Sequence, residues 1–447
     1  MTLGSWGIIK GTPSLLALIP LLIFIVCTII DFKGKGTIIG ILAGVAVGFV
    51  LTGQTPVTFI KSCVGALTNS TMLIGFMIII GAGLGEIMNE ARISNTIVYW
   101  IIERIGINTK TKGKIVLVIS SILVCGLLGT LAGGNAIIAP IIIPILASLG
   151  ITPTTTAVLF RVAGEIGLIL GPLTGVTLMA CQVTGLSYLE YLLYAAIPFA
   201  IFWLFGTWIG ANITQKRTEG KESYELNNDL SDANNLKPSK KEERNSIIFV
   251  SVFVALIVIG VITKQSTAYS LIIIVLLTVL ATILSGHSIK DCLKAFGSGA
   301  KRMLSVIPLL VFFTVLLDMV AAGDGFTALA NFLTGLFSFG SGSAVNLIAA
   351  LVGGFGIETS AILEIQIIAE TFKEIAISTG LPMKVFVVSI LAATRLTSSV
   401  YPTSNFIGQM ITARSDNTKD ALIANWVGAF AAWIFVILIS FIGPIIF

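Results

Sequence analysis

Twice along this chain, 230 residues apart, an apolar run long enough to cross a bilayer is broken by a proline. The breaks read Gly171-Pro172-Leu173-Thr174-Gly175 and Tyr401-Pro402-Thr403-Ser404-Asn405. Proline gives no N–H and clashes with the carbonyl a turn back, so neither run continues as one helix. Each proline lies 22 residues after a glycine, Gly150 or Gly380, and seven after an ionisable residue, Glu165 or Arg395. Downstream, Glu190 matches Asp420 at the same spacing; upstream, Met72-Leu73 matches Met303-Leu304 at 231, and Gly129 to Ile137 faces Gly353 to Ala361 at about 224. Matches in one order along both halves are the mark of an internal structural repeat.

Hydrophobic residues make up 55% of the chain and charged residues 11%, with a mean hydropathy of +1.01, so no water-soluble surface can be built from it. The expected fold is an all-α polytopic membrane protein made of two inverted repeats, each with about five spans, a re-entrant hairpin and one broken helix. In the first half the spans fall at 14–31, 37–53, 71–90, 154–184 (broken near Pro172) and 191–212; in the second at 246–263, 268–285, 303–320, 382–412 (broken near Pro402) and 422–443. The hairpins are read at 115–149, turning at Gly133-Gly134-Asn135, and at 344–379, turning near Gly356 to Ser360. Each arm is short for a full crossing, and irregular backbone at membrane depth survives only when enclosed by protein or facing a wet cavity. Interfacial helices are expected at 93–107 and 325–339.

Charge placement orients the spans. With loops 32–36, 91–114, 213–245, 286–302 and 413–421 on the cytoplasmic side, 20 of the 27 Lys and Arg residues lie there. Five crossings per half then invert the halves and put both chain ends outside. The boundaries follow as 1–214, a hydrophilic cytoplasmic linker at 215–245, and 246–447. Lys10 precedes an apolar run to Ile30 that reads as the first span and lacks a cleavage signal. Bacterial cytoplasmic (inner) membrane is the expected location. The net charge of +5 comes from these loops and gives no basic face for nucleic acid.

A charge near the bilayer centre costs about 2.5 to 3.5 kcal/mol, so ionisable residues inside spans are candidates for function. Arg161 and Glu165 are one turn apart and can pair with each other; Glu86 and Glu90 can reach water beside Arg92. Arg395 has no acid within four residues, leaving a substrate carboxylate, Glu358 or Asp318 as its partner. Glu364, Gln366, Glu370 and Lys373 share a side of the returning arm that would face an aqueous vestibule. The breaks and hairpin turns add small donors and acceptors: Thr130, Asn135, Thr174 and Thr177, then Thr359, Ser360, Thr397, Ser398, Thr403, Ser404 and Asn405. Asn135, Thr174, Thr359, Ser360, Arg395, Thr403, Ser404 and Asn405 are the candidate substrate ligands. Glu165, Asp318 and Glu358 are the candidate coupling carboxylates. Freed carbonyls with Gly133, Gly134, Asn135, Thr174, Thr359 and Ser404 are a candidate Na⁺ site. The lone histidine, His287, sits in a loop, the five cysteines are scattered, and no nucleotide motif is present, which disfavours an enzyme or a primary pump and calls for no cofactor.

On these residues the chain resembles the ion transporter superfamily, which includes gluconate permeases, C4-dicarboxylate carriers, divalent anion:sodium symporters and one class of Na⁺/H⁺ antiporters. The matching positions are Gly133-Gly134-Asn135, Glu358-Thr359-Ser360, Pro172-Leu173-Thr174 and Pro402-Thr403-Ser404-Asn405. The resemblance implies carboxylate and Na⁺ binding at hairpin tips and broken-helix loops, and a homodimer in membrane lipid with an elevator-like motion. The expected function is H⁺- or Na⁺-coupled symport of a small organic anion or amino acid; the alternative is a cation/proton antiporter without an organic substrate.

Overall fold

The computed structural model describes residues 1–9, 13–30, 36–224, 237–263, 265, 267–337, 341–352, 361–396, 399 and 401–447. Glu358, Thr359, Ser360, Thr397 and Ser398 lie outside them. After a 3-10 turn at Leu15–Leu18, the first half runs α1 (Ile19–Ile30), α2 (Gly36–Leu51), α3 (Pro56–Leu67), α4 (Ser70–Glu90), α5 (Ile93–Ile105), α6 (Lys110–Leu128), α7 (Leu131–Ser148), α8 (Pro153–Leu170), α9 (Gly175–Thr184) and α10 (Tyr188–Tyr191). A π-helical turn at Leu192–Ala196 then leads into α11 (Ile197–Thr218). The second half runs α12 (Lys240–Ile262), α13 (Thr267–Ser285), α14 (Ile289–Met303), α15 (Val306–Ala322), α16 (Gly325–Phe337), α17 (Gly342–Val352), α18 (Ala361–Ser378), α19 (Met383–Arg395), α20 (Ser404–Thr412) and α21 (Thr418–Ile446). There is no strand among the described residues, and nine of their helices are long and apolar enough to cross a membrane. The chain is an all-α, multi-pass membrane protein.

Its joints and contacts come in matched sets. Left-handed residues end the same elements in each half: Gly53, Arg92, Gly150 and Gly185 in the first, Gly286, Asp324, Gly380 and Arg414 in the second. α6 packs on α8 as α17 packs on α19, and α4 packs on α13 and α14 as α15 packs on α2 and α3. Two contacts cross between the halves in the same way, α7 with α20 and α18 with α9. α11 and α21, the last helices of the two halves, pack against each other.

The expected breaks near Pro172 and Pro402 fall between α8 and α9 and between α19 and α20. Other expectations are corrected. The first hairpin turns at Gly129 and Thr130 instead of 133–135: Gly129 ends α6 with φ +66, and the Thr130 hydroxyl caps α7. Gly134 lies inside α7, where a Cβ would come within 2.5 Å of Cys125 Sγ, so this glycine allows close packing and makes no turn. The loop expected at 286–302 is largely α14, started by Ser288, whose hydroxyl accepts from Asp291 N at 3.2 Å. Its basic residues lower local hydropathy, but its inner side packs on α4, and Arg302 pairs with Glu86. α3 was not expected at all. The hydrophilic joint is also shorter than 215–245, because α11 runs to Thr218 and α12 begins at Lys240.

Burial separates the spans. In α8, 89% of the membrane-length window is enclosed by protein, against 17% in α12, so α8 forms the core and α12 faces outward.

Candidate transport site

The site is built around the end of α8. Pro153 starts this helix at a position where a missing N–H costs nothing, and Gly171-Pro172 stops it. Thr174 restarts the chain as the N-cap of α9, its hydroxyl accepting from Thr177 N at 3.3 Å. Thr403 does the same for α20, accepting from Phe406 N at 3.3 Å.

Stopping a helix leaves its last carbonyls without partners. Here side-chain hydroxyls meet them. Thr177 Oγ1 donates towards Ile169 O at 3.1 Å, Tyr191 OH donates to Ile169 O at 2.9 Å and Tyr188 OH donates to Leu170 O at 2.6 Å. Thr174 Oγ1, with one proton, reaches either Leu168 O or Gly171 O.

One turn before this end, Glu165 is 1% exposed and receives Nη1 of Arg395, which is 4% exposed on α19. The sequence suggests Arg161 as the partner of Glu165; the structure adds a cation from the other half. Arg161, 1% exposed, donates to Ser399 Oγ at 3.3 Å and lies 5.9 Å from the centre of the Phe406 ring. Among the described residues the second carboxylate oxygen of Glu165, Oε1, is buried and has no hydrogen-bond partner. Among the described residues, two guanidinium groups and one carboxylate therefore meet at this end of α8.

Asn135 closes the site on the side of α7. Its Oδ1 accepts from Ser121 Oγ at 2.6 Å and Cys125 Sγ at 3.4 Å, and its Nδ2 donates to Phe160 O at 2.9 Å and Gln409 Oε1 at 2.6 Å. All four hydrogen-bonding positions of this amide are engaged within the protein. Sequence reasoning missed Gln409, although a glutamine inside the apolar stretch Phe406 to Ile411 was the available signal. It also missed Tyr188 and Tyr191, which reach the end of α8 from α10.

The remaining candidates lie elsewhere. Asp318 is half-buried on α15, with Glu370 of α18 as an electrostatic neighbour, and no ion pair joins it to Arg395 among the described residues. Glu364 does not face a vestibule as expected but is buried at 3%, because α18 is enclosed by α9, α16, α17 and α19. Gln366 donates to Thr71 Oγ1 of α4 at 2.9 Å, and Glu370 is exposed.

On the side of the basic loops, the end of α11 is tied to both halves. Glu222 accepts from Thr154 Oγ1 at 2.5 Å and from Asn417 Nδ2 at 2.7 Å, while Thr154 and Ser415 hydroxyls are 2.8 Å apart.

A multi-pass helical bundle with buried opposite charges between interrupted helices is the framework of a membrane transporter. The family follows from the sequence as a whole: the chain belongs to the C4-dicarboxylate anaerobic carrier family, whose model matches residues 18–441. This is a family of transporters, not of enzymes. A solved structure of Neisseria gonorrhoeae MtrF, described as illuminating a class of antimetabolite efflux pumps, superposes with a TM-score of 0.60 at 16% identity, covering 97% of this chain and 96% of that one. That likeness is one of fold. No curated protein matches the chain.

Proposed function

We propose that the protein is a secondary transporter for a small dicarboxylate, coupled to protons, in a membrane where its two halves are inverted repeats. The observation that carries this reading is the buried Glu165–Arg395 pair between the breaks, with Glu165 Oε1 left without a hydrogen bond among the described residues. An arginine holds a carboxylate through two parallel bonds, so a substrate carboxylate competes with Glu165 for Arg395. Once displaced, Glu165 is a buried carboxylate that has lost its Arg395 partner, and taking up a proton removes the cost of that charge. Substrate and proton thus enter together and leave together. Arg161 supplies a second cation for the other end of a dicarboxylate, and the family description supports the substrate class. Thr174, Thr403 and Asn405 border the same breaks; Glu358, Thr359, Ser360 and Ser404 are kept as candidates from sequence.

The test is uptake of labelled C4 dicarboxylates, monocarboxylates and amino acids into proteoliposomes under separately imposed H⁺ and Na⁺ gradients. Dicarboxylate uptake driven by an inward H⁺ gradient without Na⁺ is expected. Uptake that needs Na⁺ and ignores pH would remove the proton mechanism. A lumen whose pH follows imposed Na⁺ with nothing organic taken up would replace symport by cation/proton antiport.

A further inference from the structure

We propose that Tyr188 and Tyr191 are positioning residues of the transport site, holding the end of α8 in one register and occupying the oxygens on which the first-half break would otherwise gather a cation. This deepens the reading of the α8 break and the Glu165–Arg395 pair as the transport site, and rests on it.

Broken membrane helices commonly use their freed carbonyls to coordinate Na⁺. In α8 those carbonyls already have donors, and the two that come from outside the break are phenols: Tyr191 on Ile169 O at 2.9 Å and Tyr188 on Leu170 O at 2.6 Å. Ile169 is one helical turn after Glu165, so fixing its carbonyl fixes the turn that presents the carboxylate. Tyr191 is fully buried and lies within electrostatic reach of Arg395.

The backbone is adapted to deliver these rings. Directly after Tyr191 the chain makes the π-helical turn Leu192–Ala196, in which Ile197 N bonds Leu192 O five residues back. The extra residue in that turn rotates the tyrosines relative to the face α11 presents, and such bulges are concentrated at functional sites. At the matching positions 230 residues on, the second half holds Thr418 and Ala421 instead of tyrosines. The two breaks therefore differ, and in the first a pair of phenols does what a bound cation does elsewhere.

The experiment compares wild type with Tyr188→Phe, Tyr191→Phe and, as a control from the same segment, Tyr194→Phe. Each keeps its ring and loses a hydroxyl. Two readings are made: KM and maximal rate for dicarboxylate uptake, and amide hydrogen exchange over 166–178 with Na⁺ or choline as the only cation. One hydrogen bond of about 1 kcal/mol corresponds to roughly fivefold, so KM should rise about fivefold in each of the first two variants with the maximal rate kept. Exchange over 166–178 should quicken by a similar factor, unlike that over α11, and Tyr194→Phe should match wild type. KM within twofold of wild type in both variants, or a KM rise with unchanged exchange, overturns the proposal. Slower wild-type exchange in Na⁺ than in choline also overturns it, because a cation would then sit on those oxygens. If no variant and no wild-type protein transports a carboxylate but the exchange difference persists, the transport reading fails and the positioning of α8 stands.

Discussion

Removing one partner of the Glu165–Arg395 pair takes the nearest opposite charge from the other, where neither is more than 5% exposed. Arg395→Gln and Glu165→Gln should each destabilise the protein by about 3 to 5 kcal/mol, read as a lower melting temperature in detergent. Changing both should recover part of that loss, since the pair is removed together while Arg161 stays buried. Ligand binding separates structure from function: Arg395→Gln and the double variant should show no stabilisation by dicarboxylate, and Arg395→Lys should fold yet be stabilised less than wild type, having lost the fork. Undiminished ligand stabilisation in Arg395→Gln would take this arginine out of the site. Both charged residues were legible in the sequence because a charge in an apolar run stands out. Their pairing was not, because nothing local links positions 230 residues apart. Gln409 and the two tyrosines were missed for the same reason, since their partners are backbone and amide groups brought near only by folding.

At the scale of elements, the contact of α6 with α8 is made by backbone. A Cβ on Gly167 would lie 2.5 Å from Ile122 O and 3.0 Å from Gly126 N, which no side-chain movement relieves. Gly167→Ala should push α6 from α8, at a cost of about 1 to 3 kcal/mol, and slow uptake by displacing Ser121 and Cys125 from Asn135. Normal melting and normal uptake in that variant would mean that the helices can part freely. Sequence located both helix breaks because Pro172 and Pro402 are followed by the cap residues Thr174 and Thr403, whereas Pro140 and Pro144 lie inside α7 without ending it. It misplaced the hairpin turn because glycine has two uses: Gly129 turns the chain, while Gly134 lets it approach Cys125. Amphipathic α14 escaped notice because its charged side dominates an average over the window.

At the scale of the molecule, the halves are joined at several depths. Glu165 meets Arg395 in the interior, Asn135 meets Gln409 beside it, and Glu222 ties Thr154 to Asn417 nearer the basic loops. Neither half should therefore give a stable protein alone, while residues 1–224 and 237–447 produced together should assemble and transport. Co-purification of the two pieces with dicarboxylate uptake is the measurement, and a first piece that melts cooperatively by itself would count against it. The general plan of spans was legible because the bilayer imposes a length on every helix. The joins were not, since polar pairs buried between distant helices have no periodicity of their own.

The long reach of the central ion pair also sets a waiting time. A ribosome adding about 5 to 20 residues per second needs on the order of 10 to 50 seconds to pass from Glu165 to Arg395, which is 230 positions later. Through that interval α8 is in the membrane with its carboxylate already made and its final partner not yet translated. The cation available to it is Arg161, one turn away on the same helix. The spacing that reads in sequence as a local pair is open to the nascent chain, whereas in the finished fold Arg395 meets the carboxylate and Ser399 meets Arg161. Arg161→Gln should accordingly lower the yield of inserted chain in a pulse-labelling experiment by more than the melting temperature of the finished protein would account for.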